Sequence, residues 1–266
     1  MPDLPDLIVP SRFRGPPSSG NGGWSAGAIA GHAGLASPVD HAQPWPAVTV
    51  SLQAPPPLDV PLTVTATDDG GVVAAYDGKP VLSARCSHDA VSDVEPVHPD
   101  EARAAMSSFV GLTGHPFPSC FSCGTDRAVG DGLRIFPGRV ADAADEPGEE
   151  PRPRVAATWT PDASVAEDFH AYGDEHPRAS VPVTWAALDC VGGWAGDLEE
   201  RLMVLVRMTA RLDSLPVIGE EHVVVGMGRG RDGRKAWTSS TLYDADGRVV
   251  GTADHLWIAV DPADFA

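Results

Sequence analysis

Two stretches stand out in the hydrophobic pattern. Residues 20–31 (GNGGWSAGAIAG) and 180–194 (SVPVTWAALDCVGGW) are apolar almost throughout, rich in Gly, Ala and Trp, and each follows a turn. A helix that is apolar all round is a buried one, so both are predicted as buried helices. Elsewhere the pattern alternates. Residues 47–55 (AVTVSLQAP), 61–71 (PLTVTATDDGG), 71–79 (GVVAAYDGK) and 80–88 (PVLSARCSH) are β-branched runs closed by Pro, Asp-Asp-Gly-Gly and Asp-Gly, the signature of an antiparallel meander.

The plan then recurs. After a connecting helix predicted over 99–111, with Asp100 and Glu101 favourable at its start, strands are expected at 132–140 and 154–161 around an acidic loop, 141–153. A helix near 182–197 and strands at 201–216, 221–230, 234–247 and 248–260 follow. Two α+β modules in tandem are the economical reading: an N-terminal module over 1–95, a connecting helix and linker over 96–117, and a C-terminal module over 118–266.

The two helices differ in the polar groups they keep. The first opens on Asn21-Gly22-Gly23, where backbone N–H groups lack intrahelical partners and can meet developing negative charge. Eight residues after Gly22 stands Ala30. The second opens on Val181-Pro182-Val183-Thr184, yet eight residues after Val181 it carries Asp189 between Leu188 and Cys190. Each helix lacks what the other retains. Gly23, Gly27 and Gly31 recur at intervals of four on one face of the first helix. Each costs about 1 kcal/mol of helix propensity relative to Ala, which close approach of the helix backbone to a sheet would offset, as it would for Gly192 and Gly193.

Composition narrows the function classes. A chain of 266 residues with 42% hydrophobic content can bury substantial cores, and its 28 Gly and 26 Pro mostly punctuate short apolar runs. A formal charge of -18 argues against nonspecific binding to nucleic acid or an anionic membrane. The opening MPDLPDLIVPSRF does not resemble a secretory signal and no run reaches membrane-spanning length, so a soluble cytoplasmic protein is expected. Four cysteines in a chain this long make reduced thiols the default.

This ordered set resembles the hotdog superfamily, specifically its acyl-CoA thioesterases with a His-Gly-Gly helix start. The segment PSCFSCGTDRAVGDGLRIFPG (118–138) is similar to a Cys-Phe-x-Cys-Gly…Gly-Leu-x-Leu strand of those proteins, WAALDC (185–190) to the Leu-Asp of their central helix, and NGGWSAG with the four-strand meander to the first half. The resemblance implies an α+β double hotdog, with two sheets each wrapped around a central helix and paired in one chain. It also implies one composite site, in which Gly22 and Gly23 polarise a thioester carbonyl while Asp189 acts as general base or nucleophile. The pseudo-equivalent pairing of Val181–Val183 with Ala30 would be chemically dead, since Pro182 cannot donate an N–H. Asn21 stands where many relatives have His. Ser25, Thr184 and Ser180 are candidates for the Thr, Ser or Gln partners some relatives use.

Other residues admit two readings. Cys120-x2-Cys123 invites zinc, with Cys86-x-His88 completing a ligand set, but the pairs are far apart in sequence and no metal is expected. Cys190 is a core thiol or a nucleophile. Arg229, Arg231, Arg234 and Lys235 around Asp232-Gly233 either meet coenzyme A phosphates or solubilise a hairpin turn. Trp24, Trp185 and Trp194 line an acyl pocket or fill the core. The expected activity is hydrolysis of an acyl-CoA or acyl-carrier thioester. No cofactor is needed beyond the coenzyme A of the substrate, and the partner is a small-molecule acyl thioester rather than nucleic acid or membrane. The chain would act as a monomer of paired modules or a homo-oligomer. The alternative is a noncatalytic acyl-thioester binding protein with a degenerate site.

Overall fold

The structure, a computed structural model, describes residues 4–32, 45–144, 149–166, 176–196, 198 and 200–265. The first half carries β1 (Leu7–Ile8), α1 (Gly22–His32), β2 (Val48–Leu52), β3 (Pro61–Ala66), β4 (Val72–Tyr76) and β5 (Lys79–Cys86). A short helix α2 (Pro99–Ala105) leads to β6 (Gly138–Ala143), β7 (Arg152–Trp159), α3 (Val181–Ala195), β8 (Met203–Leu212), β9 (His222–Asp232), β10 (Lys235–Tyr243) and β11 (Val249–Ala259). The eleven strands join in one antiparallel sheet of order β1-β3-β4-β5-β2-β8-β11-β10-β9-β7-β6. The blocks β3-β4-β5-β2 and β9-β10-β11-β8 have the same internal order and meet at β2 and β8. There Thr49 pairs with Thr209 and their hydroxyls lie 2.8 Å apart. This is an α+β architecture in which the halves share topology and a continuous sheet.

The meander differs from its sequence expectation in one respect. β2 is not beside β3 but between β5 and β8, because its buried Val48 and Val50 close the seam between halves, a long-range pairing that alternation cannot reveal. The hairpin between β4 and β5 is as the Asp-Gly signal implies: Asp77 and Gly78 take φ of 48° and 74°, the twist-matched turn for two strands. The strand expected at 132–140 begins only at Gly138. Leu133 and Ile135 are apolar because they bury against the preceding loop, their amides donating to the carbonyls of Phe121 and Ser122, and not because they join the sheet. The helix expected over 99–111 stops at Ala105 and continues as two 3-10 turns. Between those turns Phe109 is extended, which sends its ring into the core, stacked on Phe136. In the acidic loop, β6 runs to Ala143, β7 starts at Arg152, and residues 145–148 lie outside the described residues.

The central helices pack antiparallel on each other. A Cβ on Gly23 would sit 2.4 Å from Asp189 Cβ and 2.6 Å from the Trp185 carbonyl oxygen, and one on Gly27 would sit 2.7 Å from Pro182 Cα, while Gly31 faces Val181. The glycine face of α1 therefore meets α3, not the sheet as expected. Helix axes this close need residues without side chains at the crossing. On α3 the expectation holds, since Gly192 faces His255 and Thr238 of β11 and β10, and Gly193 faces Trp257 of β11. Among the described residues no helix is long and apolar enough to cross a membrane.

Candidate active site

The antiparallel crossing brings the start of α1 to the middle of α3. Asn21 is the residue before α1, and its Oδ1 accepts from the Trp24 amide at 2.8 Å, an N-cap of the kind that satisfies one orphan donor. Its Nδ2 donates to Asp189 Oδ2 at 3.0 Å, and the Gly23 amide donates to the same oxygen at 2.9 Å. Asp189 is 2% exposed, and its Oδ1 has no hydrogen-bond partner among the described residues. Burial pushes its carboxyl up to about 7, opposed by the Gly23 amide and the Asn21 side chain and reinforced by the neighbouring Cys120. An acid in a largely apolar helix is thus held by two donors on one oxygen while the other is left unmatched.

This arrangement changes the role expected of Gly23. Its amide is engaged by Asp189 and is not free for a carbonyl, because the carboxylate lies over the first turn of α1. The Gly22 amide, at the first helical position, has no intrahelical acceptor and no hydrogen bond to any described residue.

Asn21, Gly22 and Asp189 line a cavity of about 370 Å³. It lies beside the β2–β8 seam, with Leu52 and Pro55 on one side and Met203 and Leu205 on the other, and Phe117 and Trp257 add apolar wall. Such a cavity, mostly apolar with a few convergent polar groups, has the character of a small-molecule site.

The remaining candidates fall elsewhere. Trp24 stacks on Phe13 with ring centroids 4.2 Å apart, and Trp185 is buried against Gly27. Neither lines the cavity, because both indoles are consumed in core packing. Arg229 donates to Ser239 Oγ and the Asp93 carbonyl, Arg231 lies 3.6 Å from Glu200, and Arg234 donates to the Ala259 carbonyl. These arginines are engaged with groups around the β9–β10 hairpin and are not among the cavity's walls. Thr184 Oγ1 donates back to the Ser180 carbonyl, Ser180 Oγ caps the Val183 amide, and Ser25 is buried on α1; none of the three faces the cavity. At the opposite end of the helix pair, Val181 and Pro182 meet Gly27 and Gly31 near Ala30, with no acid supplied by α1.

Sequence reasoning missed His115. It lines the cavity with Cys120, Cys123 and Cys190, and its Nε2 lies 3.3 Å from Cys123 Sγ while its Nδ1 accepts from the Phe117 amide at 3.0 Å. Burial pushes its pKa down, and because Nδ1 accepts from the Phe117 amide, the neutral ring carries its proton on Nε2. A histidine five residues before a Cys-x2-Cys pair was the available signal. Cys86 is exposed on β5 and is not part of the cysteine cluster, so the Cys86-x-His88 completion does not form. Cys190 does join Cys120, with sulfurs 3.7 Å apart. Hydrogen bonds from Cys123 and Cys190 pull the Cys120 thiol well below its ordinary value.

No family model matches the sequence, and no curated protein matches it. Solved structures do. A conserved protein of unknown function with a hotdog fold from Alicyclobacillus acidocaldarius is 16% identical, covering 97% of this chain and 92% of that one at a TM-score of 0.57. A tesB protein of Mycobacterium avium subs paratuberculosis is 12% identical, covering 90% and 87% at 0.53. An acyl-CoA thioesterase II TesB2 from Mycobacterium marinum is 13% identical, covering 91% of each chain at 0.52. At these identities the likeness shows the fold, and that fold is the hotdog.

Proposed function

We propose that this chain is a double hotdog that hydrolyses an acyl thioester in the cavity between its two halves. The observation that carries the reading is the Asp189 carboxyl, buried on α3 yet lining a cavity at the start of α1. Its pKa of about 7 suits a general base near neutral pH. The thioester carbonyl oxygen would be met by the Gly22 amide, where the helix start favours the oxyanion of a tetrahedral intermediate. Asp189 takes a proton from the attacking water, and the coenzyme A or carrier thiolate leaves and is protonated. Asn21 and the Gly23 amide position the carboxylate rather than the substrate. The mostly apolar walls fit an acyl chain, and the structurally similar proteins include a tesB protein and an acyl-CoA thioesterase II.

One observation favours a second reading, a noncatalytic acyl-thioester binding protein. Two of the three donors at the helix start are already spent on Asp189, so the oxyanion would depend on Gly22 alone. Thiol release from a panel of short, long and aromatic acyl-CoAs separates the readings. Turnover with one class supports hydrolysis and identifies the substrate, whereas saturable binding without turnover supports the second reading.

A further inference from the structure

The three cavity-lining thiols are placed as a metal-binding set. We infer that Cys120, Cys123 and Cys190 form a three-thiolate site for a soft divalent cation, Zn2+ by its chemistry, with the fourth coordination position facing the cavity.

The geometry carries this. The three Sγ atoms all lie within 4.8 Å of one another, and Cys120 and Cys190 are 3.7 Å apart. A tetrahedral zinc with Zn–S bonds of about 2.3 Å sets its sulfurs about 3.8 Å apart. The fold brings the ligands from two elements, the turn 120–124 and helix α3, which is why sequence spacing alone argued against a metal. The turn is tightly closed. The Gly124 amide donates to the Cys120 carbonyl at 2.9 Å, and any Cβ on Gly124 would lie 2.3 Å from that oxygen.

The surroundings favour sulfur as thiolate. Asn21 Nδ2 lies 3.7 Å from Cys120 Sγ and 3.9 Å from Cys190 Sγ, and His115 presents its Nε2–H to Cys123 Sγ at 3.3 Å. Donors around metal-bound sulfur orient the ligands and spread their charge. A disulfide, being neutral, would gain little from them and would leave one of the three cysteines over. His115 is a positioning residue here and not a ligand, since its Nδ1 is committed to the Phe117 amide. Three protein ligands with one position open to a cavity match the arrangement of zinc sites that admit water or a small ligand. The open position would accept water or an incoming thiol, and loading the metal displaces the thiol protons to solvent.

The test is Co2+ titration of the full chain after chelation and reduction, without oxygen. The expected result is saturation at one Co2+ per chain, with thiolate-to-cobalt charge-transfer absorption and the intense visible bands of tetrahedral cobalt, both bleached by Zn2+. Cys123→Ser and Cys190→Ser should each lose the charge-transfer band, while Cys86→Ser should match the unsubstituted protein. Because the buried variants can fail to fold, a second measurement uses the unsubstituted chain in enough urea for its metal-free buried thiols to react: there Zn2+ should shield Cys120, Cys123 and Cys190 from alkylation and leave Cys86, the exposed one of the four thiols, reactive. No bound cobalt, cobalt without charge transfer, or unchanged alkylation of the three buried thiols would overturn the assignment. Each readout is independent of thioester hydrolysis.

Discussion

The Gly23 amide and the Asp189 carboxylate meet at 2.9 Å across the contact between α1 and α3, so one residue of each half sets the position of the other. The same approach leaves no room at Gly23. A Cβ there would press on Asp189 Cβ and the Trp185 carbonyl, whereas one on Gly22 would meet chiefly the Leu205 side chain at 3.0–3.1 Å. Gly23→Ala is expected to destabilise the fold by about 1–3 kcal/mol or more through overpacking, and Gly22→Ala by less. Urea denaturation of the two variants checks this, and equal losses would contradict the helix-contact argument.

Asn21 serves two purposes at once. Asn21→Ala removes the cap on Trp24, which costs about 0.5–2 kcal/mol, and also removes one of the two donors to Asp189. Asn21→Ser restores a cap without reaching the carboxylate. If the side chain positions Asp189, the Ser variant recovers stability but not kcat; recovery of both would leave Asn21 as a cap alone.

The hairpin arginines are expected to be dispensable for substrate. Arg231 and Glu200 form an exposed pair, and such pairs contribute about 0–1 kcal/mol. Arg231→Ala should leave both the melting temperature and KM for an acyl-CoA essentially unchanged. A large rise in KM would return these residues to the binding site.

His255 gives the fold a pH dependence of known sign. It is 3% exposed beneath α3, and burial lowers its pKa from 6.5 to about 4. In the unfolded chain it would protonate near 6.5, while the folded state resists protonation until about 4. The unfolded state therefore binds the extra proton in that window, and stability falls as pH drops from about 6.5 to 4, by on the order of 3 kcal/mol for this group. Comparing the unfolding free energy of the wild type and His255→Gln at pH 7 and pH 4 isolates the effect. The variant should lose less on acidification, and parallel losses would refute it.

The helices were legible because they are apolar on every face, and the Asn21-Gly22-Gly23 and Asp189 asymmetry was visible because each polar group interrupts such a run. What the sequence could not show is who faces whom. Alternation marks β2 as a strand but not as the neighbour of β8, and it marks Leu133 and Ile135 as buried without saying that a loop covers them. Glycine spacing signalled a close approach to α1, yet whether α3 or the sheet makes that approach depends on the tertiary packing. Cys190 and the Cys120–Cys123 turn are 67 residues apart at their nearest, and only the fold makes them neighbours.

The proposed role of Asp189 is the base of a hydrolytic site. Its most direct test is kcat for the best acyl-CoA with the wild type and Asp189→Asn, together with the Kd of a nonhydrolysable thioether analogue. In the variant kcat is expected to fall roughly a hundred- to ten-thousand-fold with Kd little changed; undiminished turnover would rule out Asp189 as the base.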